Sequence, residues 1–121
     1  MIERRRPWLW WAAWLAFLAA WTGALLHPRP IQIDDADISP DGQFYLAKAL
    51  HVSAYAFCAA LSAGLPVRRC WRRAILLLLC LHAIGTELVQ TLVPPRSGSW
   101  RDALLNLAGI AIGALLTRRR W

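Results

Sequence analysis

The chain has 121 residues, 58% of which are apolar, and its mean hydropathy is +0.37. This apolar excess is too large for an ordinary soluble domain of this length, whose apolar fraction is closer to one half. Fourteen basic and seven acidic residues give a formal net charge of +7, which by itself is compatible with nucleic-acid binding. Ten of the thirteen arginines, however, lie in three short clusters beside apolar stretches. This placement argues against nucleic acid and indicates a small membrane protein with a single domain over residues 1–121.

The first apolar stretch covers residues 8–26, and its nineteen residues are close to the roughly 20 that a helix needs to cross a bilayer. The three arginines before it also resemble the start of a secretory signal peptide. A nineteen-residue apolar segment is long for such a peptide, and tryptophan-rich sequence is a poor cleavage site. We therefore predict an uncleaved membrane anchor.

The second apolar stretch, residues 44–65, is interrupted by Lys48 and His51. Just before it, Ser39 is predicted to cap a helix whose first residue is Pro40 and whose first turn contains Asp41. The helix of this second span is thus expected to begin ahead of the apolar segment.

The third apolar stretch, residues 74–93, carries His82, Glu87 and Gln90, and the fourth, residues 102–117, is short. Ser99 and Asp102 have the S-x-x-D spacing of a capping box, so we predict that Asp102 caps a helix over residues 100–117. The expected fold is therefore an all-α integral membrane protein with four spans.

The arginine clusters predict the orientation of these spans. With four spans, all three clusters lie on the same side of the membrane, which the positive-inside rule assigns to the cytoplasm together with both termini. Three spans would separate the last cluster from the other two. The clusters are residues 4–6, then 68, 69, 72 and 73, and finally 118–120.

We predict no metal site, no cofactor and no disulfide. The alternating acidic residues of segment 35–41 do not match a calcium-binding loop, because Pro40 and Leu46 stand where that loop needs glycine and glutamate. The chain has three cysteines, so they cannot all pair within one molecule.

Polar residues inside the predicted spans are the candidate functional residues, because a charge at mid-membrane costs about 2.5–3.5 kcal/mol. In the predicted topology they all lie within about 5–10 Å of the outer surface, at about 1.5 Å per residue. Each of three helices presents one polar face, so we expect a shared pocket open to the outside, in which Glu87 pairs with a cation. These residues are Lys48, His51, Glu87, Gln90 and Asn106.

Two segments resemble the VanZ-like family of small bacterial membrane proteins. GTELVQTLVPPRSGSWRDALLNLAGIAIG contains E-x-x-Q, an arginine six residues later and D-x-x-x-N-x-x-G, and KALHVSAY contains K-x-x-H-x-x-x-Y. The resemblance covers residues 41–113. It differs at Ala47, where the family often has an aspartate directly before the lysine.

The resemblance implies a plasma-membrane protein of the cell envelope that affects sensitivity to teicoplanin-like antibiotics. It also implies that the matching residues carry whatever the family shares, so they are the predicted ligand-binding residues. They are Lys48, His51, Glu87, Gln90, Arg96, Asp102 and Asn106.

Two functions remain open from the sequence. The first is binding of an anionic envelope lipid or a lipidated antibiotic, with Lys48 and Arg96 as cations suited to phosphate. The second is a membrane-embedded enzyme in which His51 and Glu87 act as base and acid on a lipid-linked envelope precursor. A proton or ion pathway ranks last, because the inner half of the spans has few polar residues. The oligomeric state, including a homo-oligomer, is left open.

Structural roles compete with these functional ones. The structural role that competes for Glu87 is to form one half of a buried ion pair. Asn106 is predicted to form a hydrogen bond between two helices. His82 lies about 140° around the third helix from Glu87, so we predict an isolated polar contact outside the site.

Overall fold

The polypeptide forms four α-helices in a computed structural model that describes residues 6–27, 38–94 and 98–121. No β-strand occurs among these residues. The first three helices are long and apolar enough to cross a membrane. The fourth has 17 residues, about 25 Å at 1.5 Å per residue. The helices are α1 (Pro7–Leu26), α2 (Pro40–Gly64), α3 (Arg69–Gln90) and α4 (Trp100–Leu116), and a 3-10 turn (Arg118–Arg120) follows α4.

Helix α2 begins as its sequence predicts. The Ser39 hydroxyl accepts a hydrogen bond from the Gly42 backbone nitrogen at 3.1 Å, and Pro40 is the first helical residue. Helix α3, in contrast, begins at Arg69, five residues before the apolar stretch that was expected to define it. Hydropathy marks the residues that lipid tolerates, whereas arginine is a good helix former in any solvent, so the helix extends beyond the apolar segment.

Consecutive helices run antiparallel, which brings all the described arginines of the three clusters to one end of the molecule. At this end, the Trp10 ring packs on Gly64, where an added methyl group would come within 2.7 Å of it. Arg72 Nε also donates to the backbone oxygen of Leu65 at 3.2 Å. We call this the basic end; it carries Arg6, Arg68, Arg69, Arg72, Arg73 and Arg118–Arg120.

The opposite end, which we call the polar end, is where α1 and α3 finish and where α2 and α4 begin. Here Gln90 Nε2 donates to the backbone oxygen of Leu25 at 2.7 Å, so the last turn of α3 is tied to the last turn of α1. Lys48 of α2 forms an ion pair with Asp102 of α4. The two ends therefore differ in chemistry: one is rich in arginine and the other contains acids, amides and one lysine.

Helices α2 and α4 run parallel and touch backbone to backbone. A Cβ atom on Gly109 would overlap the backbone oxygen of Val52, and one on Gly113 would overlap that of Ala56. The G-x-x-x-G spacing thus permits the close helix approach predicted for it. This contact also draws Asn106, one turn before Gly109, fully into the interior.

Helix α1 packs against the other helices through apolar side chains and through a few specific side-chain hydrogen bonds. Only Trp14 and Leu25 are buried in it. Trp14 Nε1 donates to Ser62 Oγ at 2.8 Å, and Thr22 Oγ1 lies 2.8 Å from His82 Nε2. Because lipid supplies no hydrophobic drive between helices, bonds of this kind, each contributing about 0.6–2 kcal/mol, fix the position of α1.

We expect Gly109→Ala and Gly113→Ala each to destabilise the protein by about 1–3 kcal/mol, because the added methyl group overlaps a backbone oxygen that cannot rotate away. The measurement is the thermal midpoint of purified protein in detergent. Gly23→Ala and Gly85→Ala are matched controls, since a methyl group meets no atom within 4 Å at either position. Equal midpoints for all four variants would contradict the close α2–α4 contact.

Candidate functional site

The Lys48–Asp102 ion pair lies at the surface of the polar end. Lys48 Nζ donates to Asp102 Oδ1, and the two side chains are 27% and 15% exposed. The Phe44 ring, one helical turn before Lys48, lies 5.0 Å from the ammonium group in a cation–π contact. This pair is the most solvent-accessible part of the predicted site among the residues that the structure describes.

Glu87 lies beneath this pair and is nearly inaccessible, with 4% of its surface exposed. Its Oε2 accepts a hydrogen bond from the Ser99 backbone nitrogen at 3.2 Å, and its Oε1 accepts one from Asn106 Nδ2 at 3.3 Å. Glu87 therefore uses both oxygens to hold the beginning of α4.

The prediction that Asp102 completes a capping box is wrong. In that motif the fourth residue accepts from the backbone nitrogen of the first, but here Glu87 of α3 is the acceptor for Ser99. Gly98 allows Glu87 to come this close to Ser99, because any side chain at position 98 would overlap the backbone oxygen of Glu87. Asp102 is consequently available to pair with Lys48.

His51 joins Glu87 through Asn106. His51 Nδ1 lies 3.0 Å from Asn106 Oδ1 and 3.9 Å from Glu87 Oε1. Since Asn106 donates its amide hydrogen to Glu87, its oxygen faces His51 and accepts the Nδ1 proton. Among the described residues, none hydrogen-bonds to His51 Nε2. The arrangement fixes the ring orientation and leaves Nε2 available to an external group.

A second polar group lies deeper in the bundle and includes His82, which is separate from Glu87 as predicted but is not isolated, because it contacts two hydroxyl groups. His82 Nδ1 is 3.2 Å from Tyr55 Oη, which is also 3.3 Å from Thr86 Oγ1. Thr22 Oγ1 donates to the Leu18 backbone oxygen at 2.6 Å and therefore accepts from His82 Nε2. The hydroxyls of Thr22 on α1 and Tyr55 on α2 thus contact the two ring nitrogens of His82.

The structure brings together five of the seven predicted site residues and separates one of them. Gln90 is bonded to the end of α1 and not to the other members. Arg96 lies outside the described residues. The five that meet are Lys48, His51, Glu87, Asp102 and Asn106, which we call the polar cluster.

Trp21 borders the polar cluster and was not predicted as part of it. Its ring meets His51 edge-to-face with centroids 5.6 Å apart, and Tyr55 at 6.3 Å. Its buried Nε1 finds no hydrogen-bond partner in the described part of the chain. Tryptophans in apolar spans usually mark membrane interfaces, so composition gave no signal for this role.

Trp21 also lines an open groove of about 290 Å³ between α1 and α2. This groove is apolar, and none of its lining residues belongs to the polar cluster. It is lined by Phe17, Trp21, Leu50, Ser53, Ala54 and Phe57. Within the described ranges, no three His, Cys, Asp or Glu side chains lie close enough to hold a metal ion. The three cysteines are free.

A protein-family model described as VanZ/LLP1 matches residues 8–120, which is nearly the whole chain. No curated protein and no solved structure matches the chain. The family match includes all four helices and the polar cluster, so the resemblance that the two sequence motifs indicated is confirmed.

We expect Glu87→Ala to lower stability strongly, because it leaves the Ser99 nitrogen and the Asn106 amide without acceptors. Each buried unsatisfied group costs about 1–3 kcal/mol. Glu87→Gln should cost less, because its amide oxygen still accepts one bond. The measurement is thermal unfolding in detergent, with Asp41→Ala at the exposed beginning of α2 as control. A Glu87→Ala protein as stable as Asp41→Ala would show that the carboxylate has no structural role.

Proposed function

Because the chain belongs to the VanZ/LLP1 family, we propose that it is a multi-pass protein of the bacterial plasma membrane with four spans and cytoplasmic termini. The gathering of the described arginine clusters at the basic end supports this orientation, since basic residues are retained on the cytoplasmic side. Exposed tryptophans at both ends support the membrane-spanning position. Trp8 and Trp71 lie at the basic end, and Trp100 lies at the polar end. Helix α4, about 25 Å long, spans a bilayer if the membrane thins slightly around it.

We propose that the polar end binds the phosphate-bearing headgroup of an anionic envelope lipid. The observation that carries this proposal is the partly exposed Lys48, which lies on the solvent-accessible side of the polar cluster and pairs with one acid, Asp102, among the described residues. A phosphate oxygen can take the place of the Asp102 carboxylate as acceptor for the ammonium group. Arg101, exposed beside Asp102, and Arg96, predicted in the preceding loop, supply further cations.

A lipid fits this surface better than a soluble anion, because large apolar side chains surround the polar cluster. Phe44, Tyr45, Leu92 and Trp100 are all exposed at this end. Aromatic rings at this level prefer the interface between headgroups and acyl chains. A ligand with a charged head and an apolar tail satisfies both parts of the surface.

A lipidated antibiotic offers the same combination of polar head and acyl tail. We propose that binding at the polar end contributes to resistance against teicoplanin-type glycopeptides by occupying the antibiotic or the lipid near it. The support for this part is the family resemblance together with the outward position of the polar cluster in the proposed topology.

The test is photo-crosslinking with a phosphatidylglycerol that carries a diazirine close to its headgroup, followed by mapping of the labelled peptides. We expect labelling at the beginnings of α2 and α4, and a decrease of about tenfold or more in Lys48→Ala combined with Arg96→Ala, since charge-assisted bonds contribute about 1.5–3 kcal/mol each. Expression in a susceptible bacterium should raise its teicoplanin tolerance, and the same double variant should not.

The matched control is Arg69→Ala combined with Arg73→Ala, which removes the same charge at the basic end. It should leave labelling of the polar end unchanged. If the polar-end variant is labelled as strongly as the native protein, the headgroup site is not there.

A membrane-embedded enzyme is the second candidate, and the hydrogen-bonded series from His51 through Asn106 to Glu87 favours it. Such a series fixes the orientation of the His51 ring, with the Nδ1 proton held by Asn106, and leaves Nε2 to act as a general base. Neither serine nor cysteine side chains join the polar cluster among the described residues, so the nucleophile would be water activated by His51.

Incubation of the purified protein with phosphatidylglycerol separates the two candidates. For a binding protein we expect the lipid to be recovered intact by mass spectrometry. A cleavage product whose formation falls about 100-fold or more in His51→Gln, with unchanged lipid labelling, would instead establish catalysis.

A further inference from the structure

The basic end presents an unbalanced positive surface. Of the eight described arginines there, seven are exposed and one, Arg72, is partly buried. The acidic residues in the described ranges, Asp41, Glu87 and Asp102, all lie towards the polar end. The exposed arginines are Arg6, Arg68, Arg69, Arg73 and Arg118–Arg120.

Arg72 assembles this surface from two separate parts of the chain. Its Nη1 donates to the backbone oxygen of Arg120 at 2.7 Å, while its Nε donates to that of Leu65 at 3.2 Å. One guanidinium thus holds the C-terminal turn against the end of α2 and the beginning of α3. Only the planar fork of arginine presents two separated donors in this way, and lysine cannot reproduce it.

Among the described residues no acidic side chain pairs with these arginines, so they can take anions from outside the chain. Like charges brought together repel one another, so holding three arginines of the C-terminal turn beside those of α3 costs free energy in isolation. An arginine near anionic lipid gains about 1 kcal/mol. A ligand with several phosphates gains further binding free energy, because its second contact forms at high effective concentration.

We propose that the basic end is a binding site for a lipid with two phosphates, in which one phosphate contacts the arginines of α3 and the other contacts the C-terminal turn. Arg72 is a positioning residue that sets the separation between these two groups. Trp8 and Trp71, both exposed at this end, place the surface at the level of membrane headgroups, which favours a lipid over a soluble polyanion. The site is independent of the polar end and of any ligand bound there.

The experiment uses the full-length protein in phosphatidylcholine nanodiscs that contain cardiolipin, or phosphatidylglycerol at equal total charge. Native mass spectrometry measures the lipid that stays bound. We expect cardiolipin to be retained in preference to phosphatidylglycerol, and retention to weaken as salt increases.

Arg72→Lys keeps the charge but removes the two-donor bridge, so we expect cardiolipin retention to fall by about tenfold. Arg6→Lys, the same substitution at an exposed arginine outside α3 and the C-terminal turn, should retain the lipid as the native protein does. Replacing Arg118, Arg119 and Arg120 together by glutamine removes three charges but keeps the Arg120 backbone oxygen, and it should also abolish the preference. This variant decides the question if Arg72→Lys fails to fold.

Three results would overturn the proposal. They are equal retention of phosphatidylglycerol and cardiolipin, equal retention by Arg72→Lys and Arg6→Lys when both are folded, and displacement of cardiolipin by inorganic polyphosphate at matched phosphate concentration. The last result would identify the partner as a soluble polyanion. Labelling of the polar end by photoreactive phosphatidylglycerol is unaffected by any of them, so failure here leaves the proposed headgroup site intact.

Discussion

The backbone contact between α2 and α4 determines where every functional side chain at the polar end lies. Gly109 and Gly113 allow α4 to rest on the backbone oxygens of Val52 and Ala56. Because the two helices run parallel at this short distance, Lys48 meets Asp102 and His51 meets Asn106. A larger residue at either glycine would pull both pairs apart at once. The same helix contact therefore determines both the packing and the geometry of the polar cluster.

Glu87 connects that helix pair to α3 and serves structure and site at the same time. One oxygen of its carboxylate holds the backbone of Ser99 at the beginning of α4, and the other holds Asn106, which in turn orients His51. A buried acid with this many partners is stabilised by hydrogen bonds more than by a single cation. The same bonds pre-orient the polar cluster before any ligand arrives, which lowers the entropic cost of binding.

The two ends of the bundle suit different partners. At the polar end, positive and negative groups are largely paired, so the proposed lipid headgroup would compete with Asp102 for Lys48. At the basic end, the described arginines have no acidic partners, and Arg72 uses its donors on backbone oxygens to group them. Proposed lipid contacts at both surfaces would hold a small bundle at a fixed depth in the membrane, where α1 is otherwise attached by a few hydrogen bonds.

The sequence by itself determined the all-α fold, the positions of four helices, the cap at Ser39 and the family, because apolar length, turn chemistry and motif spacing are local properties. It also predicted the layer in which Lys48, His51, Glu87 and Asn106 meet, since helical phase and depth follow from residue number. Only the tertiary structure decided which partner each of them takes. Glu87 replaced Asp102 as the acceptor for the Ser99 backbone nitrogen, Gln90 turned to α1, and His82 joined Tyr55. These choices depend on distances between helices, which are set by side-chain volume at the glycine contacts and by the short connection before α4, and no periodicity within a single helix contains that information.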